Sequence, residues 1–268
     1  MAGNFFIKGI RKVFAEFERG VTIYVRYKVW LISDILATPF WVLLLLYGIL
    51  LYAVNYVNNS SVITSLTWGI FLFVFVSNFL GIASSLVLSI QQGILENVIM
   101  TNSSIVSHLV GRVAISLIDT AVIGSLVLLL NTLLFSANIF IADPLFFVIY
   151  LFLAILFFLF FAGTYSFLII NVRSPWVANQ ALQFIIPFFS GAIPIQLFSK
   201  GFASVIVYSP FYYVIGPIIA AATGYYPIDR VLFLLLDILA VLIMGIISYR
   251  VQKIILRNAL KKGKFSLF

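Results

Sequence analysis

Cysteine is absent, and histidine occurs once, at His108. Without a thiol the chain has no disulfide, thiol nucleophile or thiolate metal site. One imidazole is too few for a histidine-based metal centre. Charge is scarce as well: Asp, Glu, Lys and Arg make up 9% of the 268 residues, against about 25% in a soluble domain. So little polar surface cannot cover a water-facing globule, which excludes a soluble enzyme. Motifs that carry soluble chemistry are also missing. There is no G-x-x-x-x-G-K-[ST] run to cradle ATP phosphates, and neither G-x-S-x-G nor H-E-x-x-H occurs. No catalytic and no metal-ligating residue is therefore expected. The first 29 residues carry six Lys/Arg and two Glu with no clean apolar stretch, so no cleaved signal peptide is expected.

What remains is apolar. The hydrophobic fraction is 63% and the mean hydropathy +1.19, the signature of an all-α integral membrane protein of one domain, 1–268. The net charge of +8 is no nucleic-acid footprint, because the basic residues gather at the two ends. A spanning helix needs about 20 mostly apolar residues. Between Asp34 and Glu96 no formal charge occurs, and the polar run 55–61 divides that stretch into spans near 30–54 and 64–89. Further spans are expected near 113–135, 145–171, 178–199 and 229–250. Lys8, Arg11, Lys12, Arg19, Arg26 and Lys28 precede the first span, and Arg250, Lys253, Arg257, Lys261, Lys262 and Lys264 follow the last. Basic flanks favour the cytoplasm, and only an even number of spans keeps both clusters there. Six spans with cytoplasmic N- and C-termini in the cell membrane are the expectation. Residues 200–228, apolar but interrupted by Pro210, Pro217 and Pro227, then become a re-entrant or interfacial helical hairpin on the outer side.

Two segments outside the spans are amphipathic. Phe6, Ile10, Val13, Phe14, Phe17 and Val21 recur at helical spacing within 1–28, opposite Arg11, Lys12, Glu16, Glu18 and Arg19. Such a basic helix lies in the membrane interface, as an anchor or as a dock for a partner. The polar segment 90–111 keeps an apolar stripe through Ile94, Leu95, Val98, Ile99, Ile105, Leu109 and Val110. It is either a plain loop or a knob for a groove on a cytosolic partner.

Carboxylates within the hydrocarbon are costly and mark functional sites by default. Asp34, Asp119 and Asp237 qualify. Each either serves proton coupling or a substrate cation, or pairs with a basic residue near the interface. Phe202, Tyr208, Phe211, Tyr212, Tyr213, Tyr225 and Tyr226 in the outer hairpin form either an aromatic belt or a gate.

Gly93-Ile94-Leu95-Glu96-Asn97-Val98-Ile99-Met100-Thr101 resembles the G-T-L-E-x-L-x-x-T-P cytoplasmic loop of type 2 ABC transporter permeases, the membrane subunits of ABC exporters. Ile94 and Asn102 stand where that family has Thr and Pro. Pro187-Phe188-Phe189-Ser190-Gly191-Ala192-Ile193-Pro194 resembles its S-G-x-x-x-P segment, and Ser209-Pro210-Phe211-Tyr212-Tyr213 its N-P-x-x-Y element. The resemblance implies an ATP-driven exporter that is not itself an enzyme. Two permease chains, identical or related, would pair in the lipid around a pathway, above separate ATPase subunits that hold ATP and Mg. No cofactor is then expected on this chain. Gly93, Leu95, Glu96, Val98, Ile99 and Thr101 would form the coupling helix docked on the ATPase. Phe188, Phe189, Ser190, Gly191, Pro194, Pro210, Tyr212 and Tyr213 would line the pathway or gate. The alternative from the residues themselves is a proton-coupled secondary transporter using Asp119 and Asp237; a non-transporting scaffold is a third.

Overall fold

A computed structural model describes residues 11–261 apart from 13, 16, 23, 24, 27, 53–58, 93–104 and 170–174. Its helices are α1 (Lys28–Tyr52), α2 (Ser60–Gln91), α3 (Ile105–Phe135), α4 (Pro144–Ile169), α5 (Pro175–Phe189), α6 (Lys200–Val207), α7 (Tyr212–Thr223) and α8 (Arg230–Lys261). No strand occurs among the described residues. Among the described residues four apolar segments, Ser60–Ser89, Leu109–Phe135, Pro144–Ile169 and Arg230–Ile254, are long enough to cross a membrane. The shortest has 25 residues, and at about 1.5 Å per residue it outreaches a hydrocarbon core of about 30 Å. The chain is an all-α membrane-embedded protein.

Short polar signals set the helix ends. The Asn59 side chain accepts the Ser61 N–H at 3.1 Å and opens α2. Asp143 precedes Pro144, whose missing N–H costs nothing at a first helical position, and the Asp143 carbonyl accepts the Phe147 N–H at 3.0 Å. Asp229 caps α8 by accepting the N–H groups of Val231 and Leu232 at 2.9 and 3.3 Å. Gly224 closes α7 in the left-handed region, φ 78°.

Side-chain pairs fix the helix directions. Asn78 donates to Thr120 at 2.9 Å and the Asn138 N–H donates to Thr64 at 3.3 Å, so α3 runs antiparallel to α2. Trp68 meets Phe147 and Phe75 meets Phe158, at 5.3 and 5.6 Å between ring centroids, so α4 runs parallel to α2. The Tyr150 hydroxyl donates to the Arg230 carbonyl at 2.9 Å, Phe160 lies over Gly245, and Gly163 faces Ser248 and Gln252, so α8 runs parallel to α4. Residues 170–229 must therefore carry the chain back to the far end of the bundle. At the opposite end from Asp143 lie the close of α2, the start of α3, the close of α4 and the basic extension of α8. The helical residues among 11–26 reach the same end, where Gly20 packs under Ile115.

Three stretches differ from the sequence expectation. Helix α8 does not stop near 250 but continues through the basic cluster to Lys261. Residues 105–111 belong to α3, because Leu109 and Val113 continue its buried stripe, and residues 90 and 91 belong to α2; of the expected segment 90–111, residues 93–104 lie outside the described residues. The fifth apolar stretch is helical over Pro175–Phe189 rather than 178–199. Fifteen residues rise about 22 Å, less than the hydrocarbon thickness. Pro187 enters its last turn, Gly191 follows at φ 75°, and Pro194 opens a 3₁₀ turn, Ile195–Leu197, so the helix cannot continue.

Candidate functional site, a broken helix beneath an aromatic hairpin

The break after α5 sits inside the bundle. Asn179 anchors the foot of α5 to α2 by donating to the Leu80 carbonyl at 2.9 Å and to the Ser84 hydroxyl. Phe184 meets Phe73 at 5.8 Å further along. The chain then leaves the helix at Ser190, whose buried hydroxyl donates to the Pro187 carbonyl at 3.1 Å and accepts the Ala192 N–H at 3.3 Å. That second bond satisfies a backbone group freed by the break, as a buried interruption requires. The Ala192 carbonyl presses on α2 at Gly69, where a Cβ would lie 1.7 Å from its oxygen. Only glycine admits this approach.

The hairpin closes over the break. Helices α6 and α7 meet at 105° across the elbow 208–211. Phe211 inserts among Phe157, Phe158 and Phe161 at 5.9, 6.5 and 5.6 Å. These rings lie at least 13 residues into α4, about 20 Å along its axis. At its other end α7 reaches the start of α4: the Ala221 and Ala222 carbonyls accept the N–H groups of Asp143 and Ala142 at 2.9 and 3.1 Å. Tyr212 leaves α7 to cover Gly191 and faces Phe233 of α8 at 6.0 Å.

The residues singled out as pathway or gate thus fall in one place. Phe188 meets Phe198 at 6.3 Å, Phe189 meets Phe202 at 5.6 Å, and Ser190, Gly191 and buried Pro194 form the break. Tyr212 and Tyr213 pack edge to face at 5.4 Å, while Pro210 is exposed at the elbow. A small apolar cleft opens beside the break between α1, α2 and α5, with Gly69, Phe73, Pro187, Phe188 and Ala192 in its wall.

The intramembrane acids differ. Asp119 is half-buried and engaged by another group. Asp237 is fully buried, and neither carboxylate oxygen has a hydrogen-bond partner among the described residues. Asp34 lies on α1, with its side chain outside the described residues, as are Gly93, Leu95, Glu96, Val98, Ile99 and Thr101 in full. Among the described residues no group of His, Cys, Asp and Glu could hold a metal ion.

Sequence reasoning missed three features. Gly69 reads as any glycine in an apolar helix. Asn179 carries the weak signal of a lone amide in an apolar stretch. The third is a polar clasp at the Asp143 end. Arg230 pairs with Asp143 at 2.8 Å and lies 5.0 Å above the Tyr226 ring, and the Tyr226 hydroxyl donates to Asp143 at 3.2 Å. Burial, then the neighbouring Asp143 carboxylate, raise the Tyr226 phenol above its ordinary range. Asp143 lies more than 80 residues from both Tyr226 and Arg230, so no local pattern announces the clasp. Comparison with protein families and with curated proteins gives no match to this chain.

Proposed function

We propose that this chain is the membrane subunit of an ATP-driven exporter of the type 2 ABC class. It forms the cargo pathway with a second permease chain, identical or related, in the cell membrane. Separate ATPase subunits supply the energy and bind at the segment between α2 and α3, anchored by Glu96. One observation carries the reading. Two stretches on which the family resemblance rests, 187–194 and 209–213, are separate in sequence yet meet where Tyr212 covers Gly191. A helix broken inside the bundle beneath an aromatic cover suits a gated path, as interrupted helices do in other transporters.

The helix directions support six crossings, with α5 and the broken segment completing the return between α4 and α8. The basic ends and the coupling segment then share the cytoplasmic side. ATP-driven approach of the ATPases would push the coupling segments together and tilt the bundles, a rigid-body transition between packed states. The test is co-purification of the chain with its native partners. A Walker-A-bearing ATPase is expected in the complex, and Glu96→Ala should weaken its retention or uncouple hydrolysis from export. Unchanged assembly together with unchanged stimulated hydrolysis would refute the proposal.

A further inference from the structure

We propose that the basic end of α8 is a binding site for an anionic phospholipid, whose acyl chain lies along the helix and whose phosphate is held by Arg250 and Lys253. Helix α8 runs unbroken from Arg230 to Lys261. Phe233, Asp237, Val241 and Ser248 are buried on one face, which packs on α4 and α7. The opposite face carries Leu235, Leu239, Leu242 and Ile246, three or four residues apart and each more than half exposed. Arg250 and Lys253 continue that stripe at the same spacing and are also exposed. One face of one helix therefore changes from aliphatic to basic within a single turn. A phospholipid changes from chain to headgroup in the same order.

The change falls at the membrane boundary. Arg250 lies 20 residues from Arg230, a rise of about 30 Å, which equals the hydrocarbon thickness. Tyr249 beside it is exposed, as tyrosines at that boundary are, and the Lys253 ammonium lies 5.8 Å from the centre of its ring. The two ends of the helix differ in charge. At the Asp143 end Arg230 is neutralised by its carboxylate partner at 2.8 Å. At the basic end no ion pair reaches Arg250 or Lys253 among the described residues, and no Asp or Glu follows Asp237 in the chain. Cations three or four residues apart on a helix repel each other. An anion between them removes that repulsion and accepts charge-assisted hydrogen bonds from both. A phosphodiester is such an anion, and a phospholipid presents it at the end of aliphatic chains. A second copy of this chain does not fit the face. Inserted in the same orientation and meeting through α8, it would bring its own Arg250 and Lys253 against these.

The inference does not rest on the exporter reading. The chain has no cysteine, so single thiols can report lipid contact in the full chain in nanodiscs. Ile246→Cys lies on the stripe, and Leu88→Cys is an exposed position on α2 near the same end of the bundle. Each is labelled with bimane and quenched by brominated phosphatidylglycerol or brominated phosphatidylcholine. One basic residue near an anionic lipid surface is worth about fivefold in affinity, so Ile246→Cys should prefer phosphatidylglycerol by about fivefold or more at low salt. Adding Arg250→Gln with Lys253→Gln, or raising salt to about 0.5 M, should bring that preference below about twofold. The exchange Arg250→Lys with Lys253→Arg should keep it, and neither pair should alter the preference at Leu88→Cys. Quenching by phosphatidylcholine that is unchanged at both positions shows that the variants are inserted and folded. The proposal is overturned by equal quenching by the two lipids at Ile246→Cys, or by a preference that the Gln pair leaves intact or lowers equally at Leu88→Cys. It is overturned too if neither lipid quenches the Ile246→Cys label, the outcome when a protein partner covers the face.

Discussion

Gly69→Ala tests whether the interrupted fifth helix is held in place by the backbone of α2. A Cβ there would lie 1.7 Å from the Ala192 oxygen and 2.7 Å from its carbonyl carbon. Ordinary C···O contacts lie near 3.3–3.6 Å, so one backbone must retreat by about 1.5 Å. Forced overpacking costs about 1–3 kcal/mol. The upper end applies, because the obstacle is a peptide group and not the tip of a flexible side chain. Against it stands the helix-propensity gain of alanine, about 1 kcal/mol. The net expectation is a loss of about 2 kcal/mol, or a fall in melting temperature of about 4–8 °C for a chain of this size. Gly81 is the internal control. It lies on the same helix, and a Cβ there meets nothing within 4 Å. Gly81→Ala should leave the melting temperature unchanged or raise it. The assay is thermal unfolding in detergent, followed by tryptophan fluorescence. If Gly69→Ala melts at or above Gly81→Ala, the break does not rest on α2 and the geometry of the candidate gate is wrong.

Other outcomes follow from the same contacts. Asn179→Ala removes the donor that binds the foot of α5 to Leu80 and Ser84, and should cost about 1 kcal/mol in the same melt. Asp143→Ala frees Arg230 and Tyr226 together. Because the Arg230 side chain is 55% exposed, the ion pair itself is worth at most about 1 kcal/mol, and the clearer readout is faster proteolysis within 224–229. The Tyr226 phenol holds its proton more tightly folded than unfolded, so its contribution is intact below pH 10 and is lost as pH rises further. Alkaline titration followed by phenolate absorbance, as the difference between the intact chain and Tyr226→Phe, should therefore find Tyr226 titrating late. Asp143→Ala should bring it back toward the ordinary tyrosine range.

The four long helices were legible because a span needs only a sustained run of apolar residues, which composition supplies directly. Residues 113–135 and 145–171 differ from α3 and α4 mainly at the ends, where Pro144 and Asp143 supply a local start signal and Leu109 extends a buried stripe. Legibility fails where the structure depends on what lies across the bundle. The fifth stretch is as apolar as a span. Its interruption follows from Pro187, Gly191 and Pro194 together with the room that Gly69 on α2 leaves for the Ala192 carbonyl. Asp119 and Asp237 look equivalent by depth and composition, yet one is engaged by another group and the other has no partner.

By itself the sequence determined the solvent of this protein. With 9% charged residues the chain must put its apolar surface in lipid, and lipid forces its backbone into helices because no water is present to satisfy open N–H and C=O groups. Tertiary structure alone decided where that rule is relaxed. Ser190, Gly191 and Ala192 leave the helix safely only because Ser190 satisfies a freed amide, Gly69 makes room, and Tyr212 covers the gap. Gly69 and Tyr212 come from two other parts of the chain, and proximity in space is not written in the order of residues.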